Sequence, residues 1–368
     1  MTWEPERLDD QHHLSEADPG GMLLAVAASA AQVRTGHRCA IEAGVGRLSA
    51  DVRPRAVVVA GMGGSAIAGE ILAAVCGNSA PVPVVTLRSY QLPGWVGATD
   101  LVVAISWSGE TEETLSVAAE AVRRGCTLLA LGPAGSPLEA VATQASAVHV
   151  PLPTQGQPRA NLWLVTVPLV VAAVSLGLVR ADDEVFERVA KSLEDIAHRC
   201  RPSSESFINP GKTLAMDLAE SVPMIWGSSR LAAVAADRLA GQLNANAKYP
   251  AISGELPEAG HNQVAAFDGP LAARDIFAET SSRSLRLVIL RDVEEHPQVA
   301  RSREAAVRLA HDRDVPVTEL AADGTHPLER LASLVGLGDY ASTYLALGYG
   351  IDPTAVPAIT ELKARISQ

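Results

Sequence analysis

The sequence predicts an α/β protein built from two doubly wound domains with parallel sheets. Short apolar runs, such as RAVVVAG (55–61) and DLVVAIS (100–106), alternate with segments whose apolar residues recur at helical spacing. This alternation is typical of βαβ units with parallel strands. A second series of apolar runs, which begins at VPMIWGSS (222–229), repeats the plan. A length of 368 residues also suits two domains better than a single core.

The predicted elements follow one another through both halves. Apolar runs that end at small or polar residues predict strands, and helical patterns follow several of them. The first half contains, in order, RAVVVAGMGGS, AIAGEILAAVCG, PVPVVTLRS, DLVVAISWSGE, TEETLSVAAEAVRRG, CTLLALGP and ASAVHVPLP. The second half contains VPMIWGSS, RLAAVAADRLAGQLNANAK, SLRLVILRD, HPQVARSREAAVRLAHDRD and VPVTELAA. A last helix is predicted in DPTAVPAITELKARI, with Asp352 and Thr354 as candidate caps.

These patterns predict an N-terminal domain over residues 1–198 and a C-terminal domain over residues 212–368. The Pro- and Ser-rich segment 199–211 is the expected linker. The apolar stretch 162–179 is long enough to span a bilayer. It is a lone segment that contains Pro168, and no positive cluster flanks it, so we expect a buried helix that joins the domains.

Composition excludes several classes of function. The formal net charge of −12 argues against a nucleic-acid-binding protein, which needs a basic surface. The four cysteines are widely spaced and lack a Cys-x-x-Cys motif, which favours reduced, buried thiols. The acidic N-terminus lacks the layout of a signal peptide. We therefore expect a cytoplasmic protein that binds neither nucleic acid nor membrane.

Two polar loops follow neighbouring predicted strands of the first domain. The glycine loop (61–65) contains Gly63, Gly64 and Ser65, and the serine loop (106–111) contains Ser106, Ser108 and Thr111. Glycine allows a close backbone approach to a ligand, and N–H groups at a helix start favour an anion. Ligands of open α/β sheets bind outside the carboxyl ends of the strands. Although helix capping could account for single residues, the two loops together predict a phosphate site.

The glycine loop matches neither the dinucleotide fingerprint nor a P-loop. Position 66, where the fingerprint has its third glycine, is Ala, Gly69 falls too late for it, and no Gly-Lys-Ser/Thr follows. We expect no cofactor and no metal.

The two loops and three further motifs resemble the bifunctional phosphoglucose/phosphomannose isomerases, chains with two sugar isomerase (SIS) domains. The motifs are GMGGSAIAGE, SWSGETEET, PRANL, NANAKYPA with LPEAGHN, and DPTAV with ELK. The resemblance implies interconversion of aldose and ketose 6-phosphates through an enediolate, without a metal. It also implies a phosphorylated sugar as the ligand, and a homodimer in which one subunit provides a histidine to the other.

The resemblance also implies roles for individual residues. Ser65, Ser106, Ser108 and Thr111 would hold the phosphate, with Gly63 in the same loop, and Gly64 and Arg159 would face the enediolate oxygen. His261 and Lys363 would assist ring opening, and Thr354 would help the pocket accept mannose as well as glucose phosphates. Asn244 and Lys248 would supply polar contacts to the sugar.

One position departs from the family pattern. The family sequence Asn-Glu-Asn-Ala-Lys reads Asn-Ala-Asn-Ala-Lys here, so Ala245 replaces the base that removes the carbon-bound proton. The family also tends to have an acid where this chain has Gln263. Three hypotheses follow: an isomerase whose base is Glu255, Glu258 or His261, a non-catalytic sugar-phosphate-binding protein, or a protein with another reaction on a phosphosugar, such as epimerisation.

Overall fold

The computed structural model describes residues 2–48, 53–272 and 284–366. The chain forms two compact units. The N-terminal unit comprises Ala28–Ser192 and His326–Leu328, and the C-terminal unit comprises Met1–Ala27, Leu193–Thr325 and Glu329–Gln368. Residues 199–211, predicted as a linker, lie within the C-terminal unit.

Helices and parallel strands alternate along the described chain, which confirms the α/β class. The strands are β1 Val57–Ala60, β2 Val84–Leu87, β3 Leu101–Ile105, β4 Thr127–Gly132, β5 Val148–Pro151, β6 Ser221–Gly227, β7 Ile252–Glu255, β8 Ser284–Arg291 and β9 Val317–Ala321. The helices are α1 Gln11–Ala17, α2 Met22–Ala27, α3 Ser29–Glu42, α4 Gly64–Cys76, α5 Glu112–Arg123, α6 Pro137–Gln144, α7 Leu162–Ser175, α8 Asp183–Arg199, α9 Pro210–Leu218, α10 Arg230–Asn246, α11 Pro297–His311, α12 Pro327–Gly348 and α13 Pro357–Ile366.

The sheet of the N-terminal unit is parallel, with the strand order β2-β1-β3-β4-β5. Strands β1 and β3 are apolar and buried along their whole length, because helices cover both faces of a parallel sheet. In this order β2 lies beside β1 at one end of the sheet, whereas β4 and β5 follow β3 towards the other end. The order therefore reverses between β1 and β3, and their carboxyl ends form the crevice where doubly wound sheets bind ligands.

Helix α7 accounts for the long apolar stretch of the sequence. It packs against α3 and α4 of the same unit, and its residues from Leu162 to Ala173 are buried. Gly36 of α3 lies close to α7, where an added Cβ would be 3.1 Å from the carbonyl oxygen of Trp163. Within the described ranges, no helix combines the length and apolar character that crossing a membrane requires.

The sheet of the C-terminal unit is also parallel, with the order β7-β6-β8-β9. Its order reverses between β6 and β8, which gives it the same topology as the first four strands of the N-terminal unit. A buried ion pair joins two helices of this unit. The guanidinium of Arg238 on α10 donates two 3.0 Å hydrogen bonds to the carboxylate of Asp339 on α12. The bidentate geometry fixes the position of α10, whose last turn contains Ala245.

Candidate functional site

Three hydroxyl groups cluster at the carboxyl end of β3. Ser106 is buried, and its Oγ lies 2.8 Å from Thr111 Oγ1 and 3.4 Å from Ser108 Oγ. The backbone N–H of Thr111 donates to Ser106 Oγ at 3.3 Å, and that of Glu110 donates to Ser108 Oγ at 3.2 Å. Because hydroxyl groups rotate, they can turn their protons towards an anion.

A glycine in the left-handed region shapes the serine loop. Gly109 has φ +72°, and an added Cβ would lie 2.2 Å from Ser136 Cβ. The backbone N–H of Gly109 donates to the carbonyl oxygen of Ser106, and its own carbonyl accepts from Leu138 N–H. The loop therefore folds tightly against the start of α6, and this turn directs the three hydroxyls to one point.

The helices that follow the two loops lack a side-chain cap at their N-termini, although two N–H groups in the first turn of α4 donate to backbone carbonyl oxygens. Helix α4 follows Gly63, which has φ +54°, and helix α5 follows Thr111. Among the described residues no side chain caps either helix by a hydrogen bond, whereas Ser136 caps α6. Gly63 and Gly64 are exposed and Ser65 is half-buried. Because β1 and β3 are neighbouring parallel strands, α4 and α5 begin at the same edge of the sheet as the hydroxyl cluster, and the positive ends of two helices favour a phosphate there.

Gly69 of α4 has a packing role. An added Cβ would lie 2.7 Å from Thr86 Oγ1 and 2.9 Å from Val59 Cβ, so glycine allows α4 to approach the sheet closely. This contact places the start of α4 next to the end of β1.

Arg159 lies in the segment that leads from the carboxyl end of β5 to α7. It occupies a 3₁₀ turn, Pro158–Ala160, and is half-buried. Two buried amides support this loop: Gln32 Nε2 donates to Asn161 Oδ1 at 3.2 Å, and Asn161 Nδ2 donates to the carbonyl oxygen of Gln155 at 3.3 Å. Asn161 therefore fixes the turn that presents the guanidinium, a role that the sequence motif PRANL alone does not reveal.

In the C-terminal unit the structure brings Lys248 and Thr354 together around Asp352. Lys248 Nζ donates to the carbonyl oxygens of Asn246 at 2.9 Å and of Asp352 at 2.7 Å. The Asp352 carboxylate accepts the Thr354 hydroxyl at 2.6 Å and its N–H at 2.8 Å. Burial alone would raise the pKa of Asp352, but the hydrogen bonds from Thr354 outweigh it and hold that pKa below its usual value.

Gly20 is a further supporting residue that the sequence analysis did not single out. An added Cβ at Gly20 would lie 2.3 Å from Thr354 Oγ1, so the chain packs closely behind this hydroxyl. The sequence features that could have pointed to this contact are two Asp-Pro pairs, in DPGG (18–21) and DPTA (352–355).

The last turn of α10 offers amides but no acid at its central position. Asn244 is exposed, Ala245 is half-buried, and Asn246 is buried and donates from Nδ2 to Ser342 Oγ at 3.1 Å. The neighbouring Lys248 has φ +54°, which turns the chain sharply after the helix. The side chain of residue 245 is a methyl group, which cannot accept a proton.

The candidate replacement bases have partners of their own. Glu255 on β7 lies 3.4 Å from Arg230 Nη1, and exposed Glu258 accepts from Asn262 Nδ2 at 3.1 Å. His261, in the same 3₁₀ turn as Glu258, is exposed.

Gln263 has a structural role. Its Oε1 accepts from the indole N–H of buried Trp226 at 2.6 Å, and its Nε2 donates to the carbonyl oxygen of Ser253 at 2.9 Å. An ionised acid could not make the second bond, because a carboxylate only accepts hydrogen bonds.

Lys363 lies on α13, all of whose described residues are exposed. Ile359, Leu362 and Ile366 on the same helix are at least 48% exposed. Across the described parts of the chain, no group of three or more His, Cys, Asp or Glu side chains could hold a metal ion.

Comparison with known proteins extends these observations. Residues 207–366 match the family model of the bacterial phospho-glucose isomerase C-terminal SIS domain. The chain is 34% identical over 312 residues to a bifunctional phosphoglucose/phosphomannose isomerase of Caldicellulosiruptor bescii, covering 85% of this chain and 89% of the relative. It is 30% identical over 323 residues to the enzyme of that name from Aquifex aeolicus, covering 87% and 93%.

A solved structure shows the same fold at low sequence identity. The crystal structure of a glucose-6-phosphate isomerase from Chlamydia trachomatis superposes with a TM-score of 0.69 at 13% identity, covering 93% of this chain and 77% of that one. The family model thus defines a SIS-domain protein, and the solved structure shows the fold. More narrowly, the chain belongs to the family of bifunctional phosphoglucose/phosphomannose isomerases.

Proposed function

We propose that this protein binds an aldose or ketose 6-phosphate and that it has lost the base that isomerisation requires. The claim that it binds a sugar phosphate rests on the cluster of Ser106, Ser108 and Thr111 hydroxyls. This cluster lies at the edge where two helices begin and where the strand order reverses. Hydroxyls and backbone amides can hold a phosphate dianion without a formal positive charge nearby. The relatives' names support a phosphorylated glucose or mannose as the ligand.

The claim that the base is lost rests on Ala245. A carbon-bound proton of a sugar is very weakly acidic, so its removal needs a positioned base within hydrogen-bond reach. The Arg159 guanidinium and backbone amides could stabilise an oxyanion, but they cannot accept the proton. A methyl group in place of a carboxylate also removes repulsion against a negatively charged ligand.

Calorimetric titration with fructose 6-phosphate tests the binding site. Replacing Ser106 and Ser108 by Ala should weaken binding by about tenfold or more, because each hydrogen bond to a charged group contributes roughly 1.5–3 kcal/mol. Ser116→Ala is the matched control, since this exposed serine of α5 bonds the carbonyl oxygen of Tyr90 outside the loop. Equal affinity of the wild type and the double variant would reject the site.

A second candidate function is isomerisation with a relocated base. Its support is that Arg159, His261 and Lys363 are retained and that the relatives are named as isomerases. Glu258 or His261 would then remove the proton. In that case the wild type would interconvert glucose 6-phosphate and fructose 6-phosphate, and Glu258→Gln or His261→Asn would abolish turnover. A cytoplasmic homodimer in which His261 of one subunit serves the other remains a prediction.

A further inference from the structure

The two sheets reverse their strand order at equivalent places, which allows a residue-by-residue comparison of their carboxyl ends. Ala60, the last residue of β1, pairs with Ala104 of β3, and Ser106 follows two residues later. Gly227, the last residue of β6, pairs with Leu290 of β8, and Asp292 follows two residues later. Asp292 therefore occupies in the C-terminal unit the place that Ser106 occupies in the N-terminal unit.

The surroundings of Asp292 are those of a bound anion. Its Oδ2 accepts from the Ser229 hydroxyl at 2.8 Å, and its Oδ1 accepts from Arg330 Nε at 2.8 Å. The loop is fixed by the Asp292 N–H, which donates to Ser228 Oγ at 2.9 Å. Ser229 is also the N-cap of α10, so the carboxylate lies at the positive end of a long helix.

The charge of this carboxylate opposes the binding of a ligand phosphate. Asp292 and Arg330 are each 3% exposed, so the pair is removed from solvent. Each nitrogen of the Arg330 guanidinium already donates a hydrogen bond, since Nη2 donates to Glu294 at 2.7 Å and Nη1 to the carbonyl oxygen of Thr325 at 3.1 Å. A phosphate dianion at this point would be repelled by Asp292 and would find its donors already used.

We infer that Asp292 is a specificity-determining residue that excludes phosphorylated sugars from the C-terminal unit, so that each chain binds one sugar phosphate, at the serine loop. The inference rests on the proposed function for the site in the N-terminal unit. The Asp292 carboxylate itself accepts the hydrogen bonds of Ser229 and Arg330 and compensates the positive end of α10, as a bound phosphate would.

Titration of matched variants with fructose 6-phosphate and with inorganic phosphate tests the inference. The wild type should bind one fructose 6-phosphate per chain, and Ser106→Ala with Ser108→Ala should remove that binding. Adding Asp292→Ser to the double variant should tighten phosphate binding about tenfold or more over its parent, because Ser229, Arg330 and the α10 N-terminus become available. Glu294→Gln in the same background removes an equal charge from an exposed partner of Arg330 and should give no gain.

The outcomes separate the inference from the proposed function. Two fructose 6-phosphates per wild-type chain, or a folded Asp292→Ser variant without gain, would overturn the inference. If Asp292→Ser does not fold, Asp292→Asn keeps the shape without the charge, and the same gain is required of it. Absence of binding to the wild type, together with a gain in the Asp292 variant, would contradict the proposed function and support the inference.

Discussion

Ala245 places a methyl group in the last turn of α10, at the position where the family resemblance implies a proton-abstracting glutamate. The surrounding donors are intact: Asn246 bonds Ser342, and Lys248 bonds Asp352. Since Ala245 is half-buried, a longer side chain can extend from this position without displacing the core. The proposed loss of the base is therefore a change at one residue, beside polar side chains that keep their hydrogen-bond partners.

Restoring the acid should restore proton transfer. We expect Ala245→Glu to raise the rate of fructose 6-phosphate isomerisation by about 10²–10⁴-fold over wild type, the range that general base catalysis contributes. A coupled assay of glucose 6-phosphate formation measures this rate. Ala245→Gln is the control, because it matches the size of Glu without accepting a proton. Equal rates for the Glu and Gln variants would show that position 245 does not determine activity.

Residues differ in how far the sequence alone reveals their role. Ser106, Ser108 and Thr111 could be grouped from the sequence, since they lie within six residues of one another in the loop that follows a predicted strand. Gln263 could be seen only as a departure from the family. Its role depends on Trp226 and Ser253, which lie 37 and 10 residues away and become its neighbours only in the fold.

At the scale of elements, the serine loop depends on the turn at Gly109. Ser106 and Thr111 can meet because this residue adopts φ +72° and packs against Ser136. A side chain here would both strain the backbone and collide with the start of α6, so the loop would have to open.

Gly109→Ala should lower the free energy of unfolding by about 2–4 kcal/mol, the sum of a left-handed backbone penalty and overpacking. It should also weaken fructose 6-phosphate binding, because the three hydroxyls would separate. Urea denaturation measures the first effect and calorimetry the second. Gly94→Ala is the matched control, since an added Cβ there meets nothing within 4 Å. Equal unfolding midpoints for the two variants would contradict the assigned role of Gly109.

The strongly patterned elements were predictable, and the weakly patterned ones were not. Strands β1, β3 and β8 follow from apolar runs that are too short for helices. Strand β7 was missed, because Ile252–Glu255 has a single large apolar residue among Ser, Gly and Glu. Helix α13 begins at Pro357 rather than beside the expected caps, because the Asp352 carboxylate bonds Thr354 in a turn before the helix.

At the scale of the whole molecule, one topology occurs twice with different outcomes. Both units reverse strand order between adjacent parallel strands, so both offer a crevice at the carboxyl edge. The N-terminal unit lines it with hydroxyls and with helix starts that lack a side-chain cap, whereas the C-terminal unit places the ion pair of Asp292 and Arg330 there. The repeated plan could be predicted from the order of apolar runs. The ion pair at the second crevice could not be predicted, since Arg330 lies 38 residues from Asp292 in the sequence.

The sequence also did not reveal that the C-terminal unit is built from three separate stretches of the chain. The first 27 residues belong to the C-terminal unit. Asp9, for example, accepts from Lys212 Nζ at 3.2 Å and from the Ser206 hydroxyl at 2.8 Å. Such pairings are set by tertiary packing, which a linear division of the sequence does not contain.

One experiment tests the central claim, that the chain binds a sugar phosphate without removing its carbon-bound proton. Fructose 6-phosphate is incubated with wild-type protein in D₂O, and ³¹P and ¹H nuclear magnetic resonance follow binding and deuterium incorporation at C1 in one sample. We predict a saturable change of the phosphate resonance with no incorporation above that of Ala245→Gln. A phosphate resonance that stays unchanged at every protein concentration, or deuterium that accumulates with turnover, would contradict the account.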